Sequence, residues 1–230
     1  MKYLIVNADD FGASRGINRG VVEAHCQGIL TSTSLLVTAP FSQEAALLAQ
    51  KFPELSVGLH VDLGPLPSSP STEVASGDWR SQLRGQFIRF RELLGDLPTH
   101  IDSHRNVHRD PRVLPLFLEL AQDFGLPLRE HSPVRYYSKF YGQWGGKSHL
   151  EQISASHLAH ILENDIGPGV TELSCHPGYL DPDFRSGYLA EREAELNALC
   201  DPTLRDVLQK QSIQLVGYHQ LGKIEGCVYA

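Results

Sequence analysis

Short apolar runs alternate with longer amphipathic segments along most of the chain. An apolar run that ends at glycine, proline, asparagine or aspartate is typical of a buried parallel strand, whereas a longer segment of helical periodicity is typical of an α-helix. The predicted strands are Tyr3–Val6, Ser34–Val37, Ser56–Leu59, His100–Ser103, Leu128–Arg129, Thr171–Ser174 and Gln214–Gly217. The predicted helices are Gly16–Cys26, Gln43–Lys51, Trp79–Leu94, Arg112–Phe124, Ile153–Asn164, Ala190–Ala198 and Pro202–Lys210. Because strands and helices alternate almost one for one, the pattern predicts an α/β fold with mostly parallel strands.

Two stretches break this pattern and are predicted to be loops. The first, residues 64–70, is rich in proline and serine, which favour neither a helix nor a sheet. The second, residues 132–150, mixes aromatic side chains with glycine and lysine. Long loops of this kind often carry binding residues, so the second stretch is a candidate wall of a binding site.

The length and composition favour one catalytic domain over residues 1–230, since α/β domains of 230 residues commonly fold as a single unit. The formal net charge of -7 argues against nucleic acid as a partner. No apolar segment approaches the ~20 residues of a membrane helix, and the first apolar run continues directly into Asp9, unlike a secretion signal. The four cysteines show no CxxC spacing, which predicts reduced thiols and a cytoplasmic location.

Asp9 and Asp10 form a carboxylate pair directly after the first predicted strand. In α/β folds the carboxyl ends of the strands are where ligands and catalytic groups gather. Two adjacent carboxylates also repel each other unless a cation or a shared proton offsets the repulsion. The alternative is local structure, in which Asp10 makes an Asx turn and caps a helix that begins near Ser14.

Histidines occupy three further strand ends. His60 follows an apolar strand, and His176 lies just before the Pro-Gly pair that ends another strand. His100, Asp102 and His104 alternate, so they share one face if their strand continues to His104, and that face is unusually polar for a barrel interior. Any one of these histidines could be an ordinary surface or core residue, but together they indicate a site.

One aspartate and two histidines from separate strand ends make a metal site with open positions, which suits Zn²⁺ or another divalent ion. Such an ion lowers the pKa of its water toward ~7, and a second carboxylate can then act as the base. A histidine across the site could protonate a leaving nitrogen. These residues predict metal-dependent hydrolysis and leave open an amide hydrolase, a phosphoesterase, or a non-catalytic binding protein that keeps the ion. No glycine-rich phosphate cradle after a late strand supports the phosphoesterase.

An ordered set of short motifs resembles the YdjC-like carbohydrate deacetylases, which remove N-acetyl groups from chito-oligosaccharides and related amino sugars. The motifs are Asn7-Ala8-Asp9-Asp10-Phe11-Gly12, Thr31-Ser32-Thr33-Ser34, Gly58-Leu59-His60, His100-Ile101-Asp102-Ser103-His104 with Val107-His108, and Cys175-His176-Pro177-Gly178-Tyr179. Each motif is weak alone, but their order from residue 3 to about residue 218 is specific.

The resemblance implies a distorted (β/α) barrel related to the glycoside hydrolase and deacetylase barrels. It also implies one divalent metal ion, Mg²⁺ or Zn²⁺, at the carboxyl-terminal rim. By position in the motifs, Asp10, His60 and His104 are the expected ligands. The expected partner is a small N-acetylated sugar, with neither nucleic acid nor membrane, and the family resemblance adds a possible homodimer.

The same resemblance assigns the catalytic groups. Asp9 is the expected general base, and His176 matches the second catalytic histidine, the expected acid or oxyanion partner. Arg129 falls where the family places a basic residue that orients Asp9 or binds substrate. Family members often carry a further histidine where this chain has Asn106, and we expect that side chain to point away from the ligands.

Substrate contacts are expected from aromatic and polar side chains near the motifs. The residues assigned to substrate binding are Tyr136, Trp144, Tyr179 and His108. Aromatic rings suit the C–H faces of sugars, although the aromatic loop could instead pack on itself or on a partner chain. Arg192 and Glu195 could also line the cleft, but their i,i+3 spacing on a predicted helix allows them simply to pair with each other.

Overall fold

The first strand of the chain lies in the middle of a parallel sheet. The structure, a computed structural model, describes residues 1–66, 76–182 and 184–224, so Cys227 and most of the predicted loop 64–70 lie outside the described residues. The strands are β1 (Lys2–Phe11), β2 (Ser32–Leu35), β3 (Ser56–Val61), β4 (Ile101–Ser103), β5 (Arg135–Tyr137), β6 (Gln143–Trp144), β7 (Lys147–Ser148), β8 (Gly169–Cys175) and β9 (Ile213–Leu215). The α-helices are α1 (Arg15–Gln27), α2 (Ser42–Ala49), α3 (Ser76–Leu94), α4 (Leu114–Phe124), α5 (Ala155–Asn164), α6 (Ala190–Leu199) and α7 (Thr203–Lys210). Short 3-10 helices cover His104–Arg109, Leu150–Ile153 and Tyr218–Lys223.

Seven strands form one sheet in the order β4-β3-β2-β1-β8-β5, with β9 paired to the first residues of β1. All of these pairs are parallel, which confirms the predicted α/β class, and the short β6–β7 hairpin is antiparallel. The β1 strand is buried from Leu4 to Phe11, because helices and loops cover both faces of the sheet. None of the described helices is long and apolar enough to cross a membrane.

The sheet curls strongly into a half-barrel. In a flat sheet, β4 and β8 would lie four strand spacings apart, or about 19 Å. Yet Asp102 of β4 and Glu172 of β8 both contact Nη2 of Arg129, at 2.7 and 2.6 Å. The barrel prediction is confirmed, and the concave face of the sheet is the polar interior that the alternation around Asp102 predicts.

Several strand boundaries differ from the prediction. The β1 strand continues to Phe11, five residues past the predicted end at Val6, so the carboxylate pair lies within the strand. Leu128 makes only an isolated bridge to Ile101, and residues 135–137 of the predicted aromatic loop form β5 at the edge of the sheet. The composition of residues 132–150 does not predict β5, because this stretch also contains the glycines and lysines that are typical of a loop.

Candidate metal and catalytic site

A cavity of about 430 Å³ opens at the carboxyl ends of β1, β3, β4 and β8. Its walls include both members of the carboxylate pair, and three histidines contribute to the same walls. These residues are Asp9, Asp10, His60, His104 and His176. Side chains from four separate strand ends therefore meet in one place, at the edge of the sheet where the sequence places them.

An irregularity in β1 sends the two carboxylates in different directions. The pairing register between β1 and β2 shifts between Ala8 and Phe11, and Asp10 has a φ of 69°. Such a bulge re-aims the side chains around it. The alternative local role for Asp10 is not observed, because the N-cap of α1 is Ser14, whose hydroxyl accepts a hydrogen bond from the Ile17 amide at 3.1 Å.

Asp10, His60 and His104 offer ligand atoms that all lie within 4.8 Å of one another, so they could hold one metal ion. Oδ1 of Asp10 lies 3.4 Å from Nε2 of His60 and 3.0 Å from Nδ1 of His104. Strand β4 ends at Ser103, and His104 begins the following 3-10 helix. His104 therefore reaches the site through a turn rather than through the strand alternation considered above.

A carboxylate partner at Nδ1 orients the ring of His60. Nδ1 of His60 lies 2.7 Å from Oδ1 of Asp102, and the Ser34 hydroxyl donates to Oδ2 of the same carboxylate at 2.8 Å. A carboxylate on the far ring nitrogen fixes the ring and raises its basicity as a metal ligand. This arrangement turns Nε2 of His60 toward Asp10.

Asp10 carries a negative charge at neutral pH. Burial favours its neutral form, but Arg192 and the hydrogen bond with His104 outweigh burial and hold the pKa of Asp10 well below its ordinary value. Nη2 of Arg192 donates to Oδ2 of Asp10 at 2.5 Å. An ionised carboxylate beside two imidazole nitrogens is a suitable donor set for a divalent cation.

Asp9 pairs with Arg129. The guanidinium donates from Nη1 to Oδ2 at 2.9 Å and from Nη2 to Oδ1 at 2.8 Å, and the Asn7 amide adds a hydrogen bond to Oδ1 at 3.0 Å. Burial raises the pKa of Asp9, but the Arg129 charge outweighs it, so the pKa is lowered. Asp9 is therefore ionised and able to accept a proton.

Arg129 is the centre of a buried charge cluster. It contacts the carboxylates of Asp9, Asp102 and Glu172, and the Tyr218 hydroxyl donates to Oε2 of Glu172 at 2.8 Å. Burial raises the pKa of Glu172. Asp9, His60 and Asp102 also offer ligand atoms that lie within 4.8 Å of one another, but Arg129 already binds both of these carboxylates.

His176 follows β8 and is held by Glu195. Its backbone amide donates to Oε2 of Glu195, and its ring Nδ1 lies 3.8 Å from Oε1. Burial lowers the pKa of His176, but the Glu195 carboxylate outweighs burial and raises it above the ordinary value. The imidazolium form therefore persists to higher pH, which suits a proton donor.

Helix α6 carries both Arg192 and Glu195, but the two side chains do not pair with each other. Arg192 reaches Asp10, while Glu195 reaches His176 and accepts a further hydrogen bond from the Tyr188 hydroxyl. The i,i+3 spacing allows a mutual pair, yet each side chain finds a buried partner of its own. Only their position on one helix face signals these roles in the sequence.

The structure brings one of the four residues assigned to substrate binding to the cavity. Tyr136 lines the wall, with its hydroxyl 3.0 Å from the Ser174 hydroxyl, and burial raises its pKa to about 12. Tyr179 lies elsewhere, since its hydroxyl donates to Glu23 at 2.6 Å on α1.

Trp144 and His108 also lie away from the cavity. Trp144 is half exposed on the β6–β7 hairpin, where its ring stacks on His149 at 3.7 Å between centroids. His108 is buried, with Nδ1 2.6 Å from the Ser103 hydroxyl, and burial lowers its pKa to about 4.

Two further residues with no role in the site assigned from the sequence, Tyr188 and Asn106, also line the cavity. Tyr141 stacks on Tyr188 at 4.9 Å between ring centroids, and both rings belong to the wall beside His176. Asn106 belongs to the same wall and has a φ of 52° in the turn after His104. The aromatic-rich stretch 132–150 is the signal for Tyr141, whereas the turn that places Asn106 leaves no pattern in the sequence.

Comparison with known proteins identifies the family. The family described as YdjC-like protein matches residues 3–210. A carbohydrate deacetylase from Geobacillus stearothermophilus is 35% identical over 253 residues, covering 97% of this chain and 99% of its own length. A chitooligosaccharide deacetylase from Serratia marcescens is also 35% identical, covering 96% of this chain and 99% of its own length.

A solved structure shows the same fold. The crystal structure of a candidate cellobiose-phosphate cleavage protein from Enterococcus faecalis V583 superimposes with a TM-score of 0.76 and 27% identity. The match covers 96% of this chain and 98% of that one. Both the sequence matches and the shared fold extend over nearly the whole chain, which confirms the resemblance found in the motifs. The chain therefore belongs to the YdjC-like protein family.

Proposed function

We propose that this protein is a metal-dependent deacetylase that hydrolyses the N-acetyl group of an amino sugar or chito-oligosaccharide. One observation carries the proposal: the potential ligands Asp10, His60 and His104 share a cavity with an ionised carboxylate and a histidine of raised pKa. Metal-dependent amide hydrolysis uses these three components, namely a cation, a base and an acid. The names of the two relatives, a carbohydrate deacetylase and a chitooligosaccharide deacetylase, support the sugar amide as substrate.

The donor set fits a divalent ion. One carboxylate oxygen and two imidazole nitrogens leave coordination positions open, and this combination favours Zn²⁺, while Mg²⁺ stays the alternative. We infer that Asp10, His60 and His104 hold the ion. When bound, a divalent ion supplies Lewis-acid chemistry, which makes a water more acidic and polarises an acetamide carbonyl.

Asp9 is the group that takes the proton of the attacking water. Its pKa is lowered, so the carboxylate is free of a proton before the reaction, and Arg129 holds both of its oxygens. Oδ1 also accepts from the Asn7 amide, whereas Oδ2 accepts only from Arg129 among the described residues and keeps a lone pair for the incoming proton. Arg129 thus fixes the direction of the base without using up its capacity to accept.

His176 is the group that returns a proton to the leaving nitrogen. Nδ1 faces Glu195, which leaves Nε2 as the atom that donates. The water oxygen joins the acetyl carbon, the C–N bond breaks, and the nitrogen gains the proton from His176. The products are acetic acid, which ionises to acetate, and a free sugar amine. Asp9 then loses its proton to solvent and His176 takes one up, so both groups return to their starting states.

The cavity wall favours a sugar over a purely apolar ligand. Tyr136 and Tyr141 place aromatic surface beside charged and hydroxyl groups in the same cavity. We propose that the substrate is a small N-acetylated sugar bound by one catalytic domain over residues 1–230. A cytoplasmic location and a homodimer remain predictions.

Acetate release from N-acetylated amino sugars tests this function. Protein stripped of metal with a chelator is incubated with N-acetylglucosamine and its di-, tri- and tetramers, with added Mg²⁺, Zn²⁺, Mn²⁺ or Co²⁺. We expect equal amounts of acetate and free amine with at least one ion. If a protein that binds the ion and the sugar releases neither product under all conditions, the chain is a sugar-binding protein instead.

A further inference from the structure

We propose that Arg192 is a positioning residue for the metal site and makes Asp10 a one-oxygen ligand. The proposal rests on the proposed function, because it takes Asp10 as a metal ligand. Arg192 binds Oδ2 of Asp10, while Oδ1 is the oxygen that faces the ring nitrogens of His60 and His104.

The contacts of Asp10 divide its two oxygens between two surroundings. Oδ1 lies 3.4 Å from Nε2 of His60 and 3.0 Å from Nδ1 of His104. Oδ2 lies 2.5 Å from Nη2 of Arg192. The side chains of Arg192 and Asp10 are only 6% and 5% exposed, so solvent screens this ion pair little.

Arg192 is held in place from several sides. Its Nη1 donates to the carbonyl of His176 at 3.4 Å, and its guanidinium lies 5.5 Å from the centroid of the Phe184 ring. The loop after β8 packs against the aliphatic part of the arginine side chain, since a Cβ atom added at Gly178 would lie 3.5 Å from Cδ of Arg192. A side chain fixed in this way can impose an orientation on its partner.

Asp10 needs such a tether because its backbone is unusual. Its φ of 69° lies in the left-handed region, at the bulge of β1, where a side chain costs free energy to hold. With Oδ2 bound to Arg192, Asp10 occupies one coordination position instead of two. More positions then remain for water and for the carbonyl of a substrate.

The positive charge of Arg192 and its hydrogen bond to Asp10 have opposite effects on metal affinity, and this difference makes the proposal testable. A guanidinium close to a cation repels it, so an arginine that acted only as a nearby charge would weaken metal binding. Its removal would then tighten binding. A positioning arginine has the reverse effect, since loss of a hydrogen-bond partner of a metal ligand typically weakens metal affinity by about 10- to 100-fold.

The experiment is a calorimetric titration of Zn²⁺ into metal-free wild type, Arg192→Gln and Arg192→Lys, with circular dichroism to verify folding. We expect the Kd for Zn²⁺ to rise by about 10- to 100-fold in Arg192→Gln. Arg192→Lys keeps the charge but not the planar fork, so a smaller rise is expected. The matched control is Glu195→Gln on the same helix, which contacts His176 and no proposed ligand and should change the Kd by less than about twofold.

Unchanged or tighter Zn²⁺ binding by folded Arg192→Gln overturns the proposal. If that variant does not fold, Arg192→Lys decides, and a Kd equal to that of the wild type overturns the proposal. A wild type that binds no divalent ion overturns both this proposal and the proposed function. A wild type that binds Zn²⁺ but releases no acetate overturns only the function, because the Kd comparison still supports or contradicts the role of Arg192.

Discussion

Arg129 and Asp9 form a buried two-pronged ion pair, with Nη1–Oδ2 and Nη2–Oδ1 distances of 2.9 and 2.8 Å. The same guanidinium contacts Asp102 and Glu172, so its donors point into the interior of the half-barrel. Two roles for Arg129 are open from the sequence, namely orientation of Asp9 and binding of substrate. The contacts support orientation of Asp9, because Nε, Nη1 and Nη2 all donate to Asp9 or Glu172, and Arg129 is not among the described residues that line the cavity.

Arg129→Lys should therefore reduce catalysis without removing the metal. Lysine keeps the charge but cannot hold two oxygens of one carboxylate, so Asp9 loses its fixed direction. We expect kcat for acetate release to fall by about 100-fold, with Zn²⁺ affinity unchanged. Kinetics and calorimetric titration of the same preparation check this. A change in KM alone would instead indicate that Arg129 binds substrate.

Asp9 and Asp10 should respond differently to the same substitution. Asp9→Asn keeps the proposed ligands but removes the base, so activity should fall by about 10²- to 10⁴-fold with the metal retained. Asp10→Asn removes an ionised ligand, and the metal content should fall together with activity. Elemental analysis of both purified variants checks the split. Metal loss in Asp9→Asn with retention in Asp10→Asn would reverse the two roles.

Glu195→Gln should shift the pH profile of the reaction in a defined direction. The Glu195 carboxylate raises the pKa of His176 against the opposing effect of burial, so a neutral amide lets that pKa fall. The imidazolium form is then lost at lower pH, and the alkaline limb of kcat/KM should move to lower pH.

The control for this shift is Tyr188→Phe. It removes the hydroxyl that donates to Glu195 but keeps the carboxylate charge next to His176. The alkaline limb should move less in Tyr188→Phe than in Glu195→Gln. An alkaline limb that stays in place in Glu195→Gln would show that His176 is not the group that titrates.

His108 should contribute to loss of stability at acid pH. Burial lowers the pKa of His108 from 6.5 to about 4, so the unfolded chain takes up a proton at a higher pH than the folded protein. The contribution of His108 to the free energy of unfolding is therefore present above about pH 6.5 and is lost as the pH falls toward 4. At pH 5 the expected loss from this residue is about 2 kcal/mol of the free energy of unfolding.

His108→Asn removes this titration and should make the free energy of unfolding fall less between pH 7 and pH 5, as measured by urea denaturation at both values. The amide of asparagine can still reach the Ser103 hydroxyl that contacts Nδ1 of His108. His160→Asn, at an exposed position on α5, is the control and should keep the pH dependence of the wild type. An equal decrease in the free energy of unfolding between pH 7 and pH 5 in His108→Asn and the wild type would contradict the prediction.

The strand-end chemistry of this site can be predicted from the sequence because parallel strands direct their carboxyl ends to one edge. Asp10, His60 and His176 each follow a predicted strand, so their convergence at one edge follows from the parallel fold. The direction of each side chain does not follow. Asp9 and Asp10 diverge because of a register shift in β1, and His104 arrives through a 3-10 turn.

Contacts between distant elements are the part that the sequence does not reveal. Arg192 and Glu195 are explained equally well by a pair within one helix, and only the packing of α6 on the cavity separates their roles. Tyr179 and Trp144 are aromatic residues in the expected segments, yet each finds another partner outside the cavity. Residue type indicates a suitable chemistry, but it does not determine position.

The segment that contains Tyr136 and Tyr141 is continuous in the chain, whereas the proposed ligands come from separate strand ends. Insertions or replacements between β5 and β7 can therefore change the shape of one side of the cavity without replacing the proposed metal ligands. Members of this family should then share the proposed metal ligands and differ in the segment that contains Tyr136 and Tyr141. A chimera that carries a relative's residues at positions 135–148 should acquire the sugar preference of that relative while keeping its own metal affinity.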